Sequence, residues 1–507
     1  MEDSLISQDV VISDSQTENN SYSPISKLYA ELLGEIFVLA KTSTKSYSVE
    51  PGWLNVAGVC QTWREVALDT PRLWSRFDVS HVKHLEWAST ILARSGGLPL
   101  MIECTRPLNL KYLDILETIM SHVAGLRELD IYARPDTLLS LFTSQPSTFP
   151  LTQLRSLSLT QSKGGEGPEP DRSQLWLQRV FEMPMPALQT LKLVEVVLPP
   201  DIPAFLNLQR LEIATASIKV TTILSLLRDA PYLEELLLLV HPFTGESVGT
   251  TSPTIIDLPN LKWLSLASTR FDTFVLFQYI HYHPSTRIHI NMTKPFTPWL
   301  PQPDQTMQNF AGLVSHFASS AEATKIDSLS FLNNPTQELH LKASIGDTPS
   351  LDIRCDAVSS TDVGPTFGLL ALLPQSNIRS FRISGLSGIR REDWTDLFRQ
   401  QDHLQELEVE MVKEEFPQML SKSSEDEPTV LPELKRLAFC RCLFVVLIEY
   451  LKTFLVERKT LGIPLDELKI SKSGILPEEV LELRAHVRVD WDGLTYNDPH
   501  EDDPRSP

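Results

Sequence analysis

The chain has 507 residues, of which 42% are hydrophobic and 22% are charged. This is ordinary globular usage, so disorder throughout the chain is excluded, and the length allows about three domains or one long repeat array. Lysine and arginine number 45 against 65 acidic residues, a formal charge of −20, which disfavours nucleic acid and anionic membranes as the main partners.

The N-terminal residues 1–24 are rich in Ser, Asn, Gln, Asp and Glu, which predicts a disordered leader. No basic stretch leads into an apolar one there, so no secretory signal is predicted. Apolar runs elsewhere are shorter than the roughly 18 residues that a transmembrane helix needs. Five scattered cysteines indicate reduced thiols rather than a disulfide framework. We therefore expect a soluble protein of the cytoplasm, the nucleus or both.

Apolar spacing over residues 25–78 predicts a small module of three short helices. Two segments repeat apolar residues every three or four positions, as one side of a helix does, and a turn at Thr70-Pro71 then leads into Leu73-Trp74. So small a core is marginal, and apolar side chains left outside it are candidates for a partner surface. The first stripe contains Leu28, Leu32, Leu33, Ile36, Phe37 and Ala40, and the second contains Trp53, Val56, Ala57, Cys60, Trp63 and Ala67.

A hexamer of the form apolar-x-x-apolar-x-apolar recurs ten times in the rest of the chain. The copies form two runs, the first from Leu126 to Leu261 and the second from Ile378 to Leu465, and within each run they follow after 20 to 34 residues, which is the period of repeat arrays. The fourth and sixth positions are apolar and the fifth is usually polar, so each copy predicts a short strand with one buried face. The copies begin at Leu126, Leu154, Leu188, Leu208, Leu233, Leu261, Ile378, Leu404, Leu434 and Leu465.

Segments with helical spacing lie between several of these strands, so the predicted unit is strand, turn and helix. Such units favour parallel neighbours and right-handed crossovers. The predicted fold class is α/β, with a right-handed β-α solenoid over residues 79–496 and an acidic disordered tail over 497–507. The pattern is weakest over 288–378, where four prolines from Pro295 to Pro303 interrupt it and only partial strands are visible at 328–331 and 338–341. The helical segments are 175–181, 223–228, 274–279, 394–399 and 444–455.

The hexamers resemble the leucine-rich-repeat family in a divergent form. The resemblance implies a horseshoe whose strands line the concave face, so strand residues that alternate away from the core would share one surface. Charges of both signs with one aromatic suit a protein or peptide target, because binding energy concentrates in Trp and Arg. Plain solvation of these positions is the alternative. The predicted target-binding residues are Trp263, Arg382, Arg210, Glu406 and Arg436.

The N-terminal module contains the strings LYAELLGEIF, VCQTWREVA and TPRLWSRF in order between residues 28 and 77. They resemble the F-box in the form common among mushroom-type fungi. The resemblance implies docking of a Skp-type adaptor, which connects to a cullin scaffold. Tyr29 stands where the family usually has proline, so the helix start lacks a preset φ, and residues 41–52 form a polar insertion. The implied docking residues and their support are Leu28, Glu31, Leu32, Ile36, Phe37, Val59, Cys60, Trp63 and Trp74.

Catalytic and metal motifs are weak in this sequence. Ser387 lies in a Gly-Leu-Ser-Gly string that is one residue short of a nucleophile elbow, and a turn is the simpler interpretation. Cys440 and Cys442 have no second pair at zinc-ligand spacing, and the cluster of His281, His283 and His289 more often packs or faces solvent than binds metal. No catalytic residue, metal or cofactor is predicted.

These patterns together predict a non-catalytic adaptor. The resemblances imply a substrate receptor of a Skp-cullin-F-box ubiquitin ligase that binds an unknown target protein with its solenoid. The alternative is a repeat scaffold for protein interactions that works without a ligase.

Overall fold

The computed structural model describes most of the segments for which regular structure is predicted. Nearly all of the leader, residues 44–51 of the insertion, the prolines at 295–303, Ser387 and the tail lie outside the described residues. The described residues are 24–43, 52–82, 84–121, 125–144, 151–162, 170–199, 202–215, 218–240, 255–268, 276, 279–283, 285–292, 325–333, 338–346, 348–356, 377–385, 389–411, 416, 419, 430–442 and 444–494.

The chain is mixed α/β, its strands pair mostly in parallel, and it forms two compact units, Met1–Thr215 and Ala216–Pro507. The coarse fold class predicted from the repeats is therefore confirmed.

The first unit begins with helices. The predicted second helical stripe is in fact two elements, because Cys60 is extended (φ −158°, ψ 173°) and separates a 3-10 helix from the next α-helix. Gly58 and Val59 precede it, and both residue types disfavour helix. The elements are a 3-10 helix at Pro24–Lys27, α1 at Ala30–Ser43, a 3-10 helix at Gly52–Gly58, α2 at Gln61–Leu68 and α3 at Pro71–Trp74.

Six strands of the first unit pair in parallel in chain order. They are β1 Arg76–Asp78, β2 Leu100–Glu103, β3 Leu126–Ala133, β4 Ser156–Gln161, β5 Thr190–Val194 and β6 Arg210–Thr215. The connections contain helices α4 Leu85–Arg94, α5 Leu113–Met120, α6 Pro135–Ser144 and α7 Pro170–Glu182, with 3-10 helices at Val79–His81 and Leu110–Tyr112.

The second unit contains a longer sheet. Its strands are β7 Glu235–Val240, β8 Ile256–Leu258, β9 Trp263–Ser268, β10 Ile280–Tyr282, β11 Arg287–Met292, β12 Ser328–Asn333, β13 Glu338–Ile345, β14 Thr348–Asp356, β15 Ser380–Ser384, β16 Glu406–Glu410, β17 Arg436–Cys440, β18 Glu467–Ser471 and β19 Arg488–Trp491. Its helices are α8 Val220–Arg228, α9 Arg391–Arg399, α10 Phe444–Thr460 and α11 Pro477–Arg484. The sheet order is β7-β9-β11-β14-β13-β12-β15-β16-β17-β18-β19, and β8 pairs with β10 separately.

Each of the ten hexamers contains a strand, so this prediction is confirmed. The helical segments at 175–181, 223–228, 394–399 and 444–455 lie within α7, α8, α9 and α10. Of the predicted helix at 274–279, only residues 276 and 279 are described.

The weak region at 288–378 differs from the sequence prediction. It contains the full strands β11 to β14 rather than partial ones, and β13 runs antiparallel to both β12 and β14. Residues 346 and 347 alone join β13 to β14, and so short a connection permits only an antiparallel pair. Gly346 takes φ +58° there, and its N–H donates to the Asp327 carboxylate at 3.0 Å.

Four strands are followed by a turn with the same backbone conformation. Glu195, Gly385, Met411 and Arg441 each directly follow a strand and adopt φ between +51° and +69°. The N–H of each donates to the carbonyl of the last or next-to-last residue of the neighbouring strand, as Gly385 does to Glu410 at 2.9 Å. The chain therefore leaves the sheet at the same level in these repeats. Three of the four residues are not glycine, which is why the sequence does not reveal the turn.

Helices over the second unit's sheet bury large aromatic side chains. Trp394 and Phe398 of α9 lie 5.9 Å apart, Phe416 packs on Trp394 at 5.1 Å, and Phe439 of β17 packs on Phe444 of α10 at 5.6 Å. All five are at most 1% exposed, and edge or offset contacts of this kind stabilise a core beyond simple burial.

Candidate docking surfaces

The apolar stripe of α1 is divided between a core side and a solvent side. Leu33 and Phe37 are 3% and 1% exposed, whereas Leu32, Ile36 and Leu39 are 52%, 42% and 62% exposed. Since residues three, four and seven apart share one side of a helix, the exposed three form a continuous strip. The stripe therefore does not enter the core as a whole.

The exposed strip continues into the turn before α1. Leu28 and Tyr29 are exposed there, and Val59 is exposed in the segment between the 3-10 helix Gly52–Gly58 and α2. We call the strip the α1 outer face; it consists of Leu28, Tyr29, Leu32, Ile36 and Leu39. An apolar surface of this kind on a small module is typical of interaction sites.

Tyr29, where the resembled family has proline, does not prevent the helix from starting. α1 begins directly after it, and the N–H of Leu33 donates to the Tyr29 carbonyl at 3.1 Å. The preset φ of proline is therefore not required for this helix end, and Tyr29 instead adds an exposed aromatic ring to the α1 outer face.

The opposite side of α1 packs on the other helices of the module. The Phe37 ring lies 5.0 Å from the Trp63 ring of α2. Trp74 is buried, its indole N–H donates to the Ala67 carbonyl at 2.9 Å, and the Arg94 guanidinium lies 5.3 Å above its ring. These aromatic contacts fix the direction in which α1 presents its outer face.

Polar contacts hold α1 against α3 and the start of β1. The Lys41 ammonium donates to the Leu73 carbonyl at 2.5 Å and also to the Arg76 carbonyl. Burial lowers the pKa of Lys41 to about 8, although the charge of Glu103 opposes this shift. Glu35 and Arg72 form an exposed ion pair nearer the middle of the helix.

The nine residues implied for adaptor docking differ in their exposure. Leu28, Glu31, Leu32, Ile36 and Val59 are exposed, Phe37 and Trp74 are core, and Cys60 and Trp63 are half-buried.

The predicted target-binding residues all lie on the polar faces of strands, but the structure does not bring all five together. Arg210 belongs to β6 of the first unit, where its guanidinium lies 3.4 Å from Glu212. In the second unit Arg436 pairs with Glu406 on the neighbouring strand. Arg382 lies 3.5 Å from Glu408 and 3.2 Å from Glu410. Trp263 lies five strand spacings from Arg382, about 24 Å.

Sequence reasoning misses a cluster beside Trp263. The Trp263 ring stacks on His289, with centroids 6.3 Å apart and an interplanar angle of 15°. His289 Nδ1 lies 3.4 Å from Asp352, and His340 Nε2 lies 2.8 Å from the same carboxylate. The Arg354 Nε is also 3.4 Å from it. The alternation in Arg287–Met292 and in residues 351–354 could have indicated these strand faces, but the antiparallel pairing that joins them has no simple sequence signal.

Electrostatics in this cluster favour the charged carboxylate. Burial acts to raise the pKa of Asp352, but the hydrogen bond and charge of His340, together with Arg354, hold it below its ordinary value. Asp352 therefore remains ionised at neutral pH and orders the surrounding basic side chains.

The three histidines that lie close together in the sequence have separate partners. His281 Nδ1 pairs with Asp257 at 2.9 Å, His283 pairs with Ser285 at 2.7 Å, and His289 belongs to the cluster around Asp352. In the described part of the chain, no group of three or more His, Cys, Asp or Glu side chains is arranged to hold a metal ion. Cys60, Cys104, Cys440 and Cys442 form no disulfide in the described part of the chain.

Among the residues described, no helix is both long and apolar enough to cross a membrane. No family model and no curated protein matches the chain.

Proposed function

We propose that the chain is the substrate receptor of a Skp-cullin-F-box ubiquitin ligase. In this proposal the N-terminal helices are an F-box-like module that docks a Skp-type adaptor, and the strands belong to a divergent, right-handed leucine-rich-repeat-like solenoid that binds a target protein. The chain itself catalyses nothing. It accelerates ubiquitin transfer by holding the target near the charged conjugating enzyme, which raises their effective concentration.

The observation that carries the proposal is the division of α1 into a packed side and an exposed apolar side. The motif residues Leu28, Leu32 and Ile36 are exposed, while Phe37 and Trp74 of the same motif form the core beneath. Burying such side chains against a partner helix contributes about 1.5–3 kcal/mol for each one fully covered. Three such side chains would contribute about 5–9 kcal/mol, which is comparable with the cost of association.

Isothermal titration calorimetry with a purified fungal Skp-type adaptor tests the docking step. Full-length wild-type chain should bind, and Leu32→Asp with Ile36→Asp should weaken binding at least about a hundredfold, because two charges would be buried in an apolar contact. Leu206→Asp is the matched control, since Leu206 is also exposed, at 62%, but lies outside the module. Circular dichroism of each variant verifies the fold.

Absence of wild-type binding at about 50 μM adaptor would reject the ligase role, because a functional interface should exceed this affinity. The ligase-independent repeat scaffold would then be the better account. Equal loss of binding in the Leu206 control would mean that added charge, rather than the α1 outer face, governs the measurement.

A further inference from the structure

Among the described strands, β19 is the last of the second unit's sheet. In this part of the chain it pairs with β18 alone, and the two strands are parallel. The N–H of Asp492, directly after β19, donates to the Ile470 carbonyl of β18 at 3.4 Å. Because the backbone groups of alternate strand residues point to opposite sides, those of Val489 and Trp491 point to the free edge. Neither N–H has an acceptor among the described residues, so the edge is open to a further strand.

Apolar side chains are exposed at the same end of the unit, on α11 and beside it. Val480 and Leu483 are buried, so they mark the side of α11 that packs on the unit. Glu482 pairs with Lys452 of α10 and marks the side toward the preceding helix. Since successive helix residues are rotated by about 100°, Leu481 lies on the remaining side, away from α10. It is 64% exposed, whereas the end of a repeat array is normally polar. The exposed apolar residues at this end are Leu476, Leu481 and Leu494.

Two copies of the chain that join through this edge are related by a twofold axis, because each contributes the same surface. The joined β19 strands then run antiparallel, and the residues whose backbone groups point outwards form the hydrogen-bonded pairs. Two registers align most of β19 with its copy, since the axis passes either through Val489 or through Asp490. Backbone geometry allows both registers, and the side chains decide between them.

Charge distinguishes the two registers. With the axis at Val489, Arg488 of each copy lies opposite Asp490 of the other. With the axis at Asp490, the two Asp490 carboxylates lie opposite each other, and like charges in this position are destabilising. The first register also continues the pattern of β18, where Glu467 lies opposite Arg488 and Lys469 lies opposite Asp490. Positive and negative side chains then alternate across four neighbouring strands.

Arg488 and Asp490 are available for this contact. Both are exposed, and neither has an ion-pair partner within the described segments. Charged residues normally keep an edge strand from pairing, because a foreign strand would leave them without partners. A second β19 supplies one opposite charge for each of them. The strand is therefore protected against unrelated strands and complementary to its own copy.

We infer that β19 is the interface of a homodimer. Two copies pair their β19 strands antiparallel about a twofold axis at Val489, with about four backbone hydrogen bonds and with Arg488 of each copy against Asp490 of the other. Because α11 packs on β19, the two α11 helices lie side by side, and Leu481 of each is covered by the second copy. The dimer carries two α1 outer faces, which raises the effective concentration for a divalent partner. This inference goes beyond the proposed function and does not depend on it.

Sedimentation velocity of the full-length chain tests the inference. Wild type at about 50 μM should sediment as a species of twice the chain mass of 57.2 kDa. Arg488→Asp alone, or Asp490→Arg alone, places like charges opposite each other twice in the dimer and should raise its dissociation constant at least about tenfold. In an equimolar mixture of the two variants, each contact again joins a guanidinium to a carboxylate. Heterodimers should therefore form with an affinity within about threefold of wild type.

Lys435→Asp is the matched control, because Lys435 is exposed in the same unit but directly precedes β17, inside the sheet. It should change the dissociation constant less than about twofold. Variants that only misfold would not regain a dimer on mixing, and circular dichroism verifies each fold. If either reversal unfolds the chain, Leu481→Glu changes an exposed helix residue instead and should weaken the dimer about fivefold or more.

A wild-type chain that stays monomeric at about 50 μM would overturn the inference and leave the edge to residues 495–507 or to a strand of another protein. Dimers that neither reversal weakens, or that mixing does not restore, would place the interface elsewhere. Adaptor calorimetry on the same preparation separates the two proposals: a dimer without adaptor binding rejects the ligase role alone, and adaptor binding by a monomeric wild type rejects the dimer alone.

Discussion

Helices α1 and α10 belong to different compact units. They have a similar polar contact near the C-terminal end, but they differ in how much of their apolar surface is covered. Each ends near a basic side chain that donates to backbone carbonyls: Lys41 to Leu73 and Arg76, and Arg458 to Leu431, Pro432 and Leu434. α10 buries apolar residues in every turn, including Phe444, Leu447, Ile448, Leu451, Phe454 and Leu455. α1 buries only Leu33 and Phe37 among its large apolar side chains and leaves three others exposed.

The difference shows that apolar spacing alone does not state what a helix packs against. α10 lies in a unit with a sheet and further helices, and its side chains from Phe444 to Leu455 named above are covered within the chain. In the described part of its module, α1 is accompanied by two short α-helices and two 3-10 helices, too little structure to cover all its apolar positions. Its surplus apolar side is therefore available to a partner, whereas that of α10 is used for stability.

The largest effect is expected from a substitution on the core side of α1. Phe37→Ala should destabilise the module by about 3–5 kcal/mol, because it removes a fully buried ring that packs on Trp63. Leu39→Ala, on the outer face of the same helix, should change stability by less than about 0.5 kcal/mol. Hydrogen exchange of peptides from α1 and α2 measures the local opening free energy in both variants. Similar losses in both would contradict the division of the helix.

A second substitution tests how far the hydrogen bonds of Arg458 stabilise α10. Arg458 is 1% exposed, its guanidinium donates to the Leu431 and Leu434 carbonyls at 2.8 Å each, and it lies 5.3 Å from the Phe454 ring. Burial lowers the pKa of Arg458 to about 10, so it remains charged at neutral pH. Arg458→Met keeps a similar length but leaves three carbonyls without their donor, which should cost about 3 kcal/mol.

Lys459→Met is the control for Arg458, since it removes an exposed charge from the next position of the same helix. Hydrogen exchange over α10 and β17 should change little in this control. An Arg458 variant as stable as the Lys459 variant would mean that α10 is held by apolar contacts alone.

The sequence predicts much of the fold because strand and helix periods are local. Ten hexamers correctly locate strands, and the buried residues within them alternate as expected, for example Leu407 and Val409 of β16. What it misses depends on contacts between distant segments. The antiparallel β13 follows from a short connection at Gly346, and the turns at Glu195, Met411 and Arg441 use non-glycine residues in a glycine-like conformation.

The candidate surfaces are predicted less completely, because exposure is a property of the packed structure. Spacing identifies the apolar positions of α1 but does not distinguish Leu32 from Leu33. In the structure, Leu32 is 52% exposed and Leu33 is 3% exposed. Likewise, Trp263 is recognisable as a residue on the polar face of a strand, but the basic residues around Asp352 come from β11, β13 and β14, whose register the sequence does not specify.

The smallest expected effect is a pH dependence of stability that comes from Lys41 and not from Arg458. The pKa of Lys41 is lowered from 10.5 to about 8 in the folded chain, mainly by burial. Between these values the unfolded chain retains a proton that the folded chain has lost, so the free energy of unfolding rises with pH there. Below about pH 8 both states hold the proton and the contribution no longer changes.

Lys41→Met removes this titration, so the stability of wild type relative to the variant should increase by about 2 kcal/mol from about pH 7.5 to about pH 9.5. Denaturant unfolding followed by tryptophan fluorescence measures the difference, with Lys111→Met as an exposed control in the same unit. A difference that is constant with pH would show that Lys41 keeps an ordinary, solvated ammonium. In that case a buried ammonium would not help to hold α1, and its outer face would be less rigidly positioned for a partner.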